Sequence, residues 1–248
     1  MPTIIVLLWA VVGLCVGSFC NVLIFRIPKG EEFVRSHSHC MHCGHVLRWY
    51  ENIPLVSWLV QGGKCRACKK PLSRQYPVVE AVNGLCWLLA VLTAGDMVTA
   101  VLLSLMSSVL LVVAVIDWRT FTIPNGLNLA ILVLGIVRVV TDGANWLHYL
   151  IGMVCVSGLF LLLHLATGGR GLGLGDVKLM GAAGLLLGWM NILLAMILGS
   201  VSGAVIHSLR MRQGAGKKLA FGPYLAFGIW VAAFFGDGLW AAYLGLFF

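Results

Sequence analysis

Charge is what this sequence has least of. Only 10% of its 248 residues are charged, while 60% are hydrophobic and the mean hydropathy is +0.97. Soluble domains carry roughly a quarter of their residues as charges, so a soluble globular fold is excluded. Acidic residues are scarcer still, nine in all, and each one beside an apolar run needs a reason. No basic stretch precedes the first apolar segment, which turns apolar at Met1-Pro2-Thr3-Ile4. That segment is therefore expected to be a retained span rather than a signal peptide. Strand-helix alternation of the βαβ kind is also missing. Its absence removes a thioredoxin-like reading of the C-x-x-C pairs and a nucleotide-loop reading of the glycine run at 171–175.

What is present is apolar sequence in lengths that cross a bilayer, which takes about 20 helical residues. The expected fold is all-α, a polytopic transmembrane helical bundle of about eight spans. They are placed at Ile4 to Phe25, Val78 to Thr93, Val98 to Ile116, Ile123 to Val140, Trp146 to Ala166, Val177 to Trp189, Ile192 to Leu209 and Tyr224 to Phe247. Residues 177 to 209 read equally as one long helix or as a hairpin turning near Gly188-Trp189-Met190-Asn191. Charge decides for the hairpin. With the N-terminus outside, only Arg138 of the 17 basic residues falls outside, whereas a single helix would strand Arg210, Arg212, Lys217 and Lys218 on the wrong side. The net charge of +8 is then topological, with basic loops beside anionic lipid, and no nucleic-acid partner is expected. Three regions follow: a first span at 1–25, a cytoplasmic loop domain at 26–76, and seven spans at 77–248.

The loop holds Cys40-Met41-His42-Cys43 and Cys65-Arg66-Ala67-Cys68, two C-x2-C pairs 21 residues apart. Each pair can grip one side of a tetrahedral ion, and Lys64, Arg66, Lys69 and Lys70 can offset four thiolates. A closed structural zinc site on Cys40, Cys43, Cys65 and Cys68 is expected, bracing the loop rather than reacting. Two disulfides fit a reducing compartment less well. Substitution of one cysteine ligand by His37, His39, His42 or His45 stays open. Cys15, Cys20, Cys86 and Cys155 are read as small buried residues of the spans.

Among the acidic residues, Glu31, Glu32 and Glu51 lie in the polar loop, and Asp96 and Asp142 lie at outer helix ends. Asp237 between two glycines suggests a polar helix break. Glu80, at the start of the second span, reads as a snorkelling charge or a contact for a basic substrate. Asp117 and Asp176 stand apart, because both sit at cytoplasmic ends of spans. Two carboxyls in a partly desolvated site share a proton, and such a pair can activate water against a peptide carbonyl. Gly173 and Gly175 lack Cβ atoms and would let a neighbouring helix or a substrate backbone approach Asp176. The same residues also read as a flexible hinge beside a helix-ending aspartate, and local chemistry alone leaves both open. The sixth span, at 13 residues, is roughly 20 Å long against ~30 Å of hydrocarbon. Asp176 is therefore expected below the cytoplasmic surface, hydrated by a polar cavity that Asp117 also lines.

Taken in order, several stretches resemble one family, the bacterial type IV prepilin peptidases of the G-x-G-D aspartyl protease class. They are Gly17-Ser18-Phe19-Cys20-Asn21-Val22 through Arg26-Ile27-Pro28, the two cysteine pairs, Tyr76-Pro77-Val78-Val79-Glu80, Asp117 with Ile123-Pro124-Asn125, Gly171 to Lys178, and Phe221-Gly222-Pro223-Tyr224. The resemblance implies an inner-membrane enzyme of pilus or type II secretion assembly, with loop and active site facing the cytoplasm. It would cut the basic leader from prepilins or pseudopilins after a glycine and N-methylate the new terminus with S-adenosylmethionine. It assigns catalysis to Asp117 and Asp176 and zinc to the four loop cysteines, and it gives no residues for the methyl donor. A G-x-G-D protease without methylation and a proton- or cation-coupled transporter are the alternatives.

Overall fold

The structure, a computed structural model, describes residues 3–34, 37–213 and 219–246. The expectations for Met1, Pro2, Arg35, Lys217, Lys218 and Phe247 lie outside the described residues. The described elements are helices: α1 (Thr3–Arg26), α2 (Val56–Val60), α3 (Gln75–Thr93), α4 (Met97–Thr120), α5 (Asn125–Thr141), α6 (Trp146–Ala166), α7 (Leu174–Arg212) and α8 (Gly222–Leu244), with short 3-10 turns between some of them. Two isolated β-bridges, His39 to Val46 and Lys64 to Pro71, occur in the loop.

The all-α transmembrane class holds, but the span count differs from the eight expected. Six helices are individually long and apolar enough to cross a membrane, and α5, at 17 residues, is shorter. The remaining difference lies in α7, where 39 residues form one element interrupted at Gly188, whose φ of 79° and ψ of 173° are not helical. A straight helix of that length would separate its ends by ~58 Å. Instead, both ends return to Asp117. Asp176 in the first turn lies within electrostatic reach of Asp117, while the Arg210 guanidinium near the last turn lies 4.5 Å over the ring of Trp118. The chain therefore doubles back at Gly188, where a left-handed φ suits glycine and His148 closes over the backbone.

The chain divides into two compact units, Met1–Val112 and Val113–Phe248. In the first, α1 and α3 pack through glycines. A Cβ on Gly13 would collide with Trp87, one on Gly17 with the Glu80 backbone, and one on Gly84 with Leu14. Small residues at this seam let the backbones approach, which is how helices gain contact in lipid. One polar side chain binds across it, and two more bonds carry the relay on to α4. Asn83 donates to the Gly13 carbonyl at 2.7 Å, Ser108 donates to Asn83 at 2.8 Å, and the Trp87 indole donates to Ser108 at 2.9 Å.

In the second unit, glycines play the same role. Gly152 of α6 meets Gly184 of α7 backbone to backbone, Gly135 of α5 abuts Leu185, and Gly228 of α8 abuts Ala195 and Gly199. Large apolar side chains face outward, among them Leu7, Leu85 and Leu162, as expected where lipid replaces water. Cys15 and Cys155 are exposed on these faces and Cys86 is half-buried, so of the four span cysteines Cys20 alone is buried as expected. Asp237 produces no break. α8 runs through it, and its carboxylate accepts a hydrogen bond from Asn191 at 3.0 Å, so a partner rather than an unwound turn satisfies it.

Candidate active site and metal centre

Asp117 lies in the last turn of α4 and is 5% exposed. Its Oδ2 accepts a hydrogen bond of 2.9 Å from the backbone N–H of Gly222, at the start of α8. That N–H is one of the donors a helix N-terminus leaves without an internal partner, and Pro223 behind it fixes the helical start. The dipole of α8 thus points its positive end at the Asp117 carboxyl. Gly222 also leaves room for it: a Cβ there would lie 2.8 Å from Oδ2.

Asp176 occupies the first turn of α7, half-buried, and accepts a hydrogen bond of 3.2 Å from the N–H of Gly173. Gly175 is crowded by a neighbouring segment, since a Cβ there would sit 3.1 Å from Ile123. Asn128 donates to the Gly175 carbonyl at 3.3 Å, and Lys178 donates to Asn125 at 2.9 Å. The start of α5 is thus fastened to the start of α7, and the two expected aspartates come together with Gly173 and Gly175 beside them. Sequence alone assigns no role to Gly222, Asn125 or Asn128. Their signal was there in part, because Phe221 to Tyr224 and Ile123 to Asn125 belong to the stretches that carried the resemblance.

The loop of the first unit folds as two similar knuckles. In one, Cys40 N–H bonds the His45 carbonyl and Gly44 N–H bonds the Cys40 carbonyl; in the other, Cys65 N–H bonds the Lys70 carbonyl and Lys69 N–H bonds the Cys65 carbonyl. Each turns on a left-handed residue, Gly44 at φ 71° and Lys69 at φ 60°. The four sulfurs lie within 4.8 Å of one another, with Cys40 to Cys68 and Cys43 to Cys65 both at 4.0 Å. Tetrahedral zinc with sulfur at about 2.3 Å needs sulfurs ~3.8 Å apart, so the donor set and its spacing fit the ion. Backbone N–H groups, that of Cys68 foremost, draw the Cys65 thiol down to about 6, whereas the facing Cys43 is raised to about 11, so a metal must displace protons to gather four thiolates. Among the described residues no histidine joins the cluster. His45 instead bonds Glu51 at 3.2 Å, and Glu51 also accepts the Arg48 N–H at 2.9 Å.

Two family models match this chain: the bacterial peptidase A24 N-terminal domain over residues 11–94, and the type IV leader peptidase family over residues 104–208. Similar proteins include the prepilin leader peptidase/N-methyltransferase of Stutzerimonas stutzeri, 36% identical with 98% of this chain and 95% of the relative aligned. The protein of the same description from Pseudomonas aeruginosa is 34% identical over 98% and 94%, and that from Aeromonas hydrophila 31% over 94% and 91%. No solved structure matches significantly. In class, then, this is a multi-pass membrane protein and an aspartic peptidase. More narrowly, the chain belongs to the type IV leader peptidase family.

Proposed function

We propose that this enzyme removes the basic leader of type IV prepilins or pseudopilins after a glycine, at the cytoplasmic face of the inner membrane, and then N-methylates the new terminus. The observation that carries the peptidase half is the convergence of Asp117 and Asp176, 59 positions apart in sequence, on a site where a helix N-terminus donates to one of them. Both aspartates are catalytic in this reading, with Gly173 and Gly175 supporting.

The chemistry needs one carboxyl charged and one protonated. The charged member takes a proton from water as the water oxygen attacks the scissile carbonyl carbon. The protonated member gives its proton to the carbonyl oxygen. The tetrahedral intermediate then collapses, the C–N bond breaks, the amine nitrogen takes up the proton held by the first carboxyl, and the second carboxylate takes back a proton from a hydroxyl of the diol, which restores the starting pair. Gly222 N–H and the α8 dipole hold Asp117 in place throughout, and the Gly173 N–H does the same for Asp176.

The loop at 26–76 braces the protein through zinc on Cys40, Cys43, Cys65 and Cys68, and residues 77–248 carry the peptidase. Methylation draws on S-adenosylmethionine, whose sulfonium supplies an electrophilic methyl group to the neutral terminal amine. The relatives' shared description and the four-cysteine loop favour this over a protease without methylation, and membership of a peptidase family displaces the transporter alternative. The test is incubation of purified enzyme with a prepilin and S-adenosylmethionine, followed by mass spectrometry of the product N-terminus. Cleavage after glycine with a mass gain of one methyl group is expected. An uncut prepilin would overturn the proposal, and a cut but unmethylated product would leave only its peptidase half.

A further inference from the structure

Beside the cysteine cluster, the first unit forms a partly open cavity of about 530 Å³, within the usual range for a small-molecule site. Cys40 and Cys65 of the metal cluster form part of its wall, and aromatic residues form another part. Phe25 and Tyr76 stack at 5.5 Å, and the Trp58 indole N–H is buried with no hydrogen-bond partner among the described residues.

Glu80 also lines this cavity and is 7% exposed. Its carboxylate takes the N–H of Leu55 at 2.8 Å and the hydroxyl of Ser18, both neutral donors. Among the described residues no cation lies within ion-pair distance of it. Leu55 itself is held at φ 60°, a left-handed conformation costly for a branched side chain. The loop therefore bears strain where it meets Glu80. A buried carboxylate with only neutral donors is stabilised by a cation that arrives with a ligand. An aromatic wall suits a flat heterocycle.

We infer that this cavity is the methyl-donor site, taking a cationic sulfonium nucleoside, S-adenosylmethionine, with its positive charge toward Glu80 and its adenine against the Trp58 and Tyr76 side. The inference rests on the methylation reading above. It adds the site and the residue that selects the charged donor over the neutral thioether left after transfer. The snorkelling role considered for Glu80 is excluded by its burial, and the remaining role, a basic substrate contact, is the rival that the experiment separates.

The experiment is equilibrium dialysis of labelled S-adenosylmethionine and S-adenosylhomocysteine against the full-length, metal-loaded protein in detergent, with zinc content and melting temperature as folding controls. Glu80→Gln is expected to weaken the sulfonium compound about tenfold or more while changing the thioether by less than about threefold. A merely structural role would weaken both alike. Ser57→Trp, which fills the cavity from α2, is expected to abolish binding of both and serves if Glu80→Gln does not fold. Unchanged binding of both compounds by both variants, with wild-type enzyme still methylating, would overturn the site while leaving methylation intact. Equal weakening of both compounds by Glu80→Gln would overturn the charge role. Competition by a basic leader peptide with no binding of either nucleoside would assign the cavity to substrate instead. Wild-type enzyme that neither binds the donor nor methylates would sink the methylation reading itself.

Discussion

The N–H of Gly222 and the carboxylate of Asp117 meet at 2.9 Å across 105 residues of sequence, and the glycine hydrogen is all that fits between them. Gly222→Ala places a methyl group against Oδ2 and turns the Asp117 side chain away. We expect cleavage to fall by about 100-fold, since misplacing a reacting group by an ångström costs about that much, while the protein remains folded in the membrane. Asp117→Asn and Asp176→Asn should each nearly abolish cleavage, because neither carboxyl can serve both roles. Single-turnover assays with a prepilin measure all three variants, and substantial activity in either asparagine variant would remove that residue from the mechanism.

Purified protein should carry about one zinc per chain, measurable by elemental analysis, and Cys40→Ser or Cys68→Ser should lower that content and loosen the loop. The second knuckle has a further handle. Lys69 holds the left-handed position that Gly44 holds in the first, at a cost of about 1 kcal/mol. Lys69→Gly should therefore slow zinc release to a chelator, and Gly44→Ala should speed it. The opposite order would mean that the turns do not limit the site.

Glu51 ties the loop to pH. Its carboxyl is held below the ordinary range, chiefly by the Arg48 N–H and further by His45, against a reference of 4.5. Because the folded value is the lower one, the stabilisation is complete above the unfolded value and is lost as pH falls through the folded value. Glu51→Gln should accordingly release zinc faster than wild type at pH 7, and the difference should shrink as pH falls below 4.5 and on through the lower folded value. Cysteine protonation affects both proteins and cancels in the comparison. A gap independent of pH would show that Glu51 acts by shape alone.

Leu174 and Val177 flank Asp176 in the first turn of α7. In a cysteine-depleted, active background, Leu174→Cys and Val177→Cys should react with a membrane-impermeant thiol reagent added from the cytoplasmic side, with Leu174 the faster because it is 49% exposed. Labelling at neither position would mean that no aqueous path reaches Asp176.

Much of this was legible in sequence because bilayers and metals impose local rules. Span lengths follow from hydrocarbon thickness, the cysteine spacing from tetrahedral coordination, and the reversal at Gly188 from the basic cluster at Arg210 and Arg212. What stayed hidden was long-range. Nothing near Gly222 announces a carboxylate 105 positions away, and nothing near Glu80 announces an N–H supplied from Leu55 in the loop. Glu80 looked like an interfacial charge because hydropathy reads the helix that carries it and not the loop that covers it. Asp237 misled for the same reason: flanking glycines suggested unwinding, while its partner Asn191 sits on another helical arm.

The two knuckles lie on a segment tethered at both ends, by α1 before it and α3 after it. Neither knuckle offers more than two sulfurs, so a zinc ion held by all four could be captured only after the ribosome has delivered Cys68. By then α1 has been synthesised in full, and α3 is the next helix to emerge. Full four-sulfur capture of a zinc ion would therefore come only after α1 is complete. A chain short of zinc would then carry an unbraced segment between α1 and α3, and faster proteolysis within residues 26–76 after zinc depletion is the expected sign of it.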